Sequence, residues 1–285
     1  MLFVCLSLAQ SNAQEFSGGF RAGLNFTTIN GPAEVNAEGM ELDNYDFSNG
    51  FHIGAIANLR FTDIFRARAE LLYSQKGGVY NYIGESYWVF TPVDGNEPFI
   101  ATGNRETTLE VTNSYIDIPV LAVARLGKFE VSAGMSVGFL VSSRAAGELR
   151  FEGVSPQGTP IAPFNVALDF NYFDGAFRLN DAGDTEIRDI DNREVEIPAT
   201  LGAYYQELEE GENLYNTVDV GLIGGLAYYL NRGLFLGVRL NYGLSDISQA
   251  NRDISLQSLE EVGEYTFRED DDQNFNLQVS VGFSF

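Results

Sequence analysis

Few residues of this chain have types and spacing that suggest chemistry. Gly134-Met135-Ser136-Val137-Gly138 spells the Gly-x-Ser-x-Gly string that presents a nucleophilic serine on a strand-to-helix turn in many hydrolases, and His52 is the one histidine that could serve as its base. The string lies within a run of strictly alternating residues, so Ser136 is expected inside a strand, with the glycines as small filling. His52 falls on the polar side of another alternating segment and is expected to point inward. No catalytic residue is assigned.

Two carboxylate clusters offer oxygen ligands: Asp181, Asp184, Glu186, Asp189, Asp191 and Glu194, and then Glu269, Asp270, Asp271 and Asp272. Neither has the glycine and terminal glutamate of a calcium loop. A solvated, mutually repelling surface is expected, and no metal or cofactor is assigned. A third set is made of charges spread along the chain: Arg21, Arg60, Arg68, Glu70, Asp117, Arg125, Glu130, Asp219 and Arg239. They matter through the elements that carry them.

Those elements alternate with period two, the signature of strands with one apolar face. In Asn274–Phe285, Phe275, Leu277, Val279, Val281, Phe283 and Phe285 are separated by Asn276, Gln278, Ser280, Gly282 and Ser284. Phe129–Val141, Val218–Leu230 and Leu234–Leu244 repeat the pattern, and Phe16–Asn30, Phe47–Phe61, Arg66–Tyr80 and Glu110–Leu126 follow it more loosely. That makes eight strands, roughly twice the ~5–6 residues usual in soluble sandwiches. Their minor face carries glycine, serine and charge. An eight-stranded antiparallel transmembrane β-barrel with lipid outside needs such a face, because its interior is only wide enough to be filled by side chains. The listed charges fall on that face, where they must pair, since a lone charge in a low-dielectric interior is costly. A structural charge network is therefore expected.

No run approaches the ~18–20 apolar residues of a membrane helix. The opening residues 1–13 read as a signal peptide, apolar through Leu8 and ending Ser11-Asn12-Ala13, with 14–285 as the mature domain. Cys5, the single cysteine, would leave with it, so cysteine chemistry is excluded from the mature chain.

Gaps between strands alternate short and long. The long ones, at 31–46, 81–109, 143–215 and 247–272, hold 32 acidic and 8 basic residues, against 8 acidic and 9 basic in the rest of the chain. The acidity sits on one rim, expected to be extracellular, with short turns and both termini periplasmic. Within 143–215, Phe164, Val166, Leu168 and Phe170 alternate with Asn165, Ala167 and Asp169 and predict a hairpin above the membrane, against which Tyr87, Trp88 and Phe90 either pack or form an interfacial girdle. Nucleic acid is excluded as a partner, because no basic patch exists to neutralise phosphate.

Three segments carry a family resemblance: Gly19-Phe20-Arg21-Ala22-Gly23-Leu24-Asn25-Phe26, Tyr115-Ile116-Asp117-Ile118-Pro119-Val120 and the terminal Val281-Gly282-Phe283-Ser284-Phe285. They resemble the outer-membrane β-barrel family of Bacteroidota, whose members are labelled porin-like or PorT-like. The resemblance implies an integral outer-membrane protein of the cell envelope and makes Phe285 the signal read by barrel-assembly machinery. The expected function is non-enzymatic: surface binding of an extracellular ligand or envelope protein through the acidic loops, or an accessory role in secretion, with outer-membrane lipid as surroundings. The alternatives are a narrow porin-like channel for small solutes and, behind it, a lipid-modifying hydrolase.

Overall fold

The computed structural model describes residues 15–173, 185–202, 213–268 and 270–285. The expected signal peptide, and Asp181, Asp184 and Glu269 of the acidic clusters, lie outside the described residues. The fold is all-β, and among the described residues there is no helix.

Thirteen strands are present among these residues: β1 (Glu15–Asn30), β2 (Asp43–Asp46), β3 (Ser48–Arg60), β4 (Phe65–Phe90), β5 (Phe99–Leu126), β6 (Phe129–Val154), β7 (Pro160–Asn171), β8 (Thr185–Ile190), β9 (Arg193–Pro198), β10 (Thr200–Leu201), β11 (Val218–Tyr229), β12 (Leu234–Gly243) and β13 (Gln273–Ser284). β1 pairs with β3, then β3 with β4, β4 with β5, β5 with β6, β6 with β11, β11 with β12 and β12 with β13, every pair antiparallel. β13 pairs in turn with β1, Phe26 facing Leu277 and Arg21 facing Gly282. Following hydrogen-bonded neighbours from β1 thus leads back to β1. The tight turns between strands are built from residues suited to them: Gly127 takes a φ of 64°, a left-handed conformation that costs glycine little, between β5 and β6.

Three strands are far longer than the alternation predicts, with 26, 28 and 26 residues in β4, β5 and β6. At ~3.3 Å per residue each runs roughly 85–90 Å, while ten to sixteen residues suffice for the other five strands of the circuit. Their outer halves leave the circuit and form an extension. There β4 acquires β2, β6 acquires β7, and β7 acquires β10. The described residues of 81–109 and 143–215, expected as loops, are therefore largely strand, and the hairpin expected around Phe164–Phe170 is β7 folded back on β6.

β6 shows why the sequence permits this. From Phe129 to Val141 its exposed large apolar residues are Phe129, Val131, Met135, Val137, Phe139 and Val141, while Glu130, Ser132 and Ser136 are buried. Pairing with β5 then shifts register, Leu140 facing Tyr115 but Ser142 facing Ser114, which leaves Val141 as a bulge. One extra residue exchanges the two faces. Beyond it Arg144 and Glu148 are exposed while Ala145, Leu149 and Phe151 are buried. The strand is apolar outside and polar inside below the bulge, and the reverse above it.

The largest apolar core accordingly lies in the extension. Trp88 and Phe90 of β4 pack on Phe164 of β7 with ring centroids 5.1 and 6.0 Å apart, which settles their side of the sheet: they are core and not girdle. The hairpin of β8 and β9 adds Ile190, Val195 and Ile197 to the same cluster, and Pro92 bridges to Val195.

Candidate functional site

Inside the circuit, side chains from β1, β3, β4, β5, β6, β11, β12 and β13 converge in three tiers, ordered by where β4 presents Arg68, Glu70 and Lys76. The lowest tier pairs Arg68 with Glu130 through both guanidinium nitrogens, at 2.6 and 2.9 Å. Asn58 accepts from Arg68 Nε at 2.8 Å, and the Tyr229 hydroxyl donates to Glu130 at 3.0 Å. In the middle tier Arg239 donates to both oxygens of Glu70 at 2.8 Å, and Arg21 approaches the same carboxylate at 3.5 Å while donating to Ser280. In the upper tier Lys76 Nζ is held by Asp117 and Asp219, each at 2.9 Å, and lies 4.7 Å from the ring centre of Tyr115. Asn274 and Ser245 donate to Asp219 at 3.0 and 3.3 Å.

These eight ionised side chains are all buried, and they comprise four cations and four carboxylates. Charges in such a place are tolerable only when paired and fully hydrogen-bonded. Ile56, Leu72, Leu121, Val123, Ile223 and Phe235 are buried apolar residues of the same strands.

Of the charges chosen by strand parity, Arg21, Arg68, Glu70, Asp117, Glu130, Asp219 and Arg239 meet in these tiers. Two do not. Arg60 is half exposed and pairs with Glu15 at the short-turn rim, because β3 ends there. Arg125 sits at the end of β5, its guanidinium carbon 3.5 Å above the Tyr229 ring and its Nε donating to Gly127 O. Sequence reading missed Lys76. It shares the parity of Arg68 and Glu70, and carrying the inward count six residues beyond Glu70 within the expected strand Arg66–Tyr80 finds it. Phe285 is exposed, with its backbone N–H donating to Gly18 O and its ring 5.9 Å from Phe283.

The serine and histidine expectations resolve differently from a hydrolase site. Ser136 is buried in mid-strand, paired with Gly221 and Pro119, and Gly138 is small because a Cβ there would meet the Asp117 carboxylate at 2.4 Å. His52 does lie in a serine–histidine–asparagine series, Nε2 3.1 Å from Ser280 Oγ and Nδ1 2.7 Å from Asn25 Oδ1. Yet Asn25, His52 and Ser280 are each at most 2% exposed, and Ser280 is already engaged by Arg21. The three side chains hydrogen-bond one another inside the circuit.

On the extension, the described acidic residues are tied locally. Glu186 pairs with Arg188, and Asp191 accepts from Thr159. Arg268 gathers the later cluster, at 2.8 Å from Asp43 and 2.5 Å from Asp270, with Asp253 at 3.9 Å. Burial pushes the Asp253 carboxyl up to about 8 against the opposing pull of Arg268, and burial raises Asp272 as well. Among the described residues no three His, Cys, Asp or Glu are placed to hold a metal ion.

An all-β circuit with an apolar exterior and charge-paired interior is the architecture of outer-membrane barrel proteins. Residues 8–249 match the family model described as outer membrane protein beta-barrel domain, and the chain belongs to that family. Among solved structures, Ail, the attachment invasion locus protein of Yersinia pestis, in complex with the heparin analogue sucrose octasulfate, matches over 95% of this chain and 99% of its own at 10% identity, with a TM-score of 0.34. OprG from Pseudomonas aeruginosa matches over 95% and 97% at 8% identity, TM-score 0.35. The toluene transporter TodX of Pseudomonas putida matches over 94% and 89% at 9% identity, TM-score 0.22. Among curated proteins the chain matches none.

Proposed function

We propose that this chain is a non-enzymatic, eight-stranded outer-membrane barrel whose lumen is a charge-paired plug and whose work is done by the extension, held outside the cell. The lower halves of the long strands and the five shorter strands together present an apolar band suited to the ~25 Å hydrophobic height of an outer-membrane barrel. The extension stands at the end opposite the short turns, so both termini lie in the periplasm and the acidic rim faces outward. That rim favours basic or polar surface ligands, or a partner protein of the envelope; an accessory role in secretion is what the PorT-like resemblance implies, and Phe285 then serves as assembly signal.

The observation that carries this reading is the middle tier: Arg21, Glu70 and Arg239, all buried, meet across the interior from three different strands. A lumen spanned by paired side chains conducts poorly. Single-channel recording in planar bilayers tests it. The wild-type protein is expected to give no steps above the bare bilayer. Regular ion-conducting steps would replace this reading with the narrow porin-like channel, which the hydrogen-bond vacancies at Asn113 Nδ2 and both side-chain polar atoms of Asn276 favour in the upper lumen.

A further inference from the structure

The extension holds a partly open cavity of about 80 Å³ that the charged tiers do not share. Its walls are Leu109 and Val111 of β5 and Leu168 and Phe170 of β7, and Ile254 and Leu256 of the segment between β12 and β13 cover it. All six are wholly or largely buried among neighbours of the extension. The apolar part of this wall loses dispersion contacts when nothing packs against it, while Tyr45, Tyr80, Thr107, Asp253 and Arg268 give the cavity a polar side.

Asp253 Oδ2 on its lining makes no hydrogen bond and stands 3.9 Å from Arg268 Nε, and a hydroxyl of the lining is likewise unmatched. Thr107 Oγ1 is buried, on the cavity side of β5, and makes no hydrogen bond. A buried hydroxyl left unmatched is costly, and a hydroxyl both donates and accepts. The charged groups at the cavity's edge are already occupied. Arg268 is held by Asp43 and Asp270, and Arg105 donates to Tyr87 O while lying 5.8 Å from the Tyr87 ring. Asp253 shares Arg268 with those two carboxylates, at 3.9 Å, so a net charge brought into the cavity must compete with an existing ion pair.

We infer that the extension carries a binding site for a small neutral apolar molecule of about one ring, bearing a single hydroxyl or carbonyl that pairs with Thr107. The inference deepens the reading of the extension as the working part outside the membrane. The plug and this site fail separately: conductance sinks the first, absence of binding the second.

The test uses the full protein in lipid nanodiscs, with empty nanodiscs as the reference for partitioning into lipid. Fluorine NMR line broadening is measured for para-fluorophenol and for fluorobenzene. Protein-containing discs are expected to broaden both beyond the empty discs. Val111→Phe and Leu168→Trp, which fill the cavity, should return both to the empty-disc value while keeping heat-modifiable gel migration. Thr107→Val should weaken para-fluorophenol roughly fivefold, the effect of one net hydrogen bond, and leave fluorobenzene unchanged. Equal broadening by wild type and both filled variants, or by wild type and empty discs, overturns the site. Should both filled variants migrate as unfolded, the Thr107→Val comparison decides, and an unchanged ratio of the two probes overturns it.

Discussion

Glu70 is the carboxylate on which the middle tier depends, and replacing it by glutamine keeps its size while removing its charge. Arg239 places both terminal nitrogens 2.8 Å from its oxygens, and Arg21 stands 3.5 Å away with Ser280 as its second partner. Removing one member of a buried ion pair costs about 3–5 kcal/mol, because the remaining charge stays desolvated without compensation. Glu70→Gln strands two guanidinium groups facing each other and belongs at the upper end, about 5 kcal/mol. Arg239→Met leaves Glu70 with Arg21 and belongs at the lower end, about 3 kcal/mol. The double variant should fall short of the sum by about 1–3 kcal/mol, since both changes break the same contact. Urea unfolding in lipid vesicles, followed by the circular dichroism of the β-sheet, measures all three. Equal stability of Glu70→Gln and wild type, or strict additivity in the double variant, would refute the plug as a coupled charge network.

In the upper tier, Lys76→Met leaves Asp117 and Asp219 without their shared cation and should cost about 3–5 kcal/mol, while adding Asp117→Asn and Asp219→Asn should recover most of it; the temperature of heat-modifiable migration reports both, and no loss in the single variant would count against the tier. The Asp253 carboxyl, raised by burial to about 8, holds a proton when folded that the unfolded segment releases above its ordinary value of 3.8. Its stabilising effect is therefore complete below that value and declines as pH rises to about 8. Protection factors across 247–272, taken from hydrogen exchange after division by the base-catalysed intrinsic rate, should fall from pH 5 to pH 9, and Asp253→Asn should flatten that profile; a pH-independent protection factor in the wild type sinks the assignment. Deleting Val141 removes the bulge and sets the outer half of β6 against its own faces, so heat-modifiable protein should vanish from the outer-membrane fraction. Normal assembly of the deletion variant would show that the reversal of faces is not set there.

The strands of the circuit were legible because lipid outside and packed side chains inside demand opposite residue types at alternate positions, as Asn274–Phe285 displays without a break. The seven interior charges found by parity were legible for the same reason. The extension was harder to see. Beyond Val141 the alternation continues with inverted meaning, charged residues such as Arg144 and Glu148 facing out and Leu149 and Phe151 facing in, so the outer half of β6 resembles an acidic loop when charges are counted. Pairing distance was also invisible: nothing local in Lys76 tells that Asp117 and Asp219, far along the chain, will bracket it. The cavity arises from β5, β7 and a late segment meeting in space, and Thr107 carries no sequence mark of its vacancy.

The change of sides in β6 also fixes how deep the molecule rides. Sinking by two residues would carry Arg144 toward hydrocarbon, where an arginine costs ~2–4 kcal/mol at mid-depth and little at the surface. Rising by the same amount would lift Val141 and Phe139 into water. β5 sets the same waterline beside it, with Glu110 and Thr112 above Ile116 and Ile118. With its draught determined by two neighbouring strands, the protein has little freedom to adapt to a thicker or thinner bilayer. The surrounding lipids must stretch or compress to meet it, so the protein would collect where the membrane already has the height it demands.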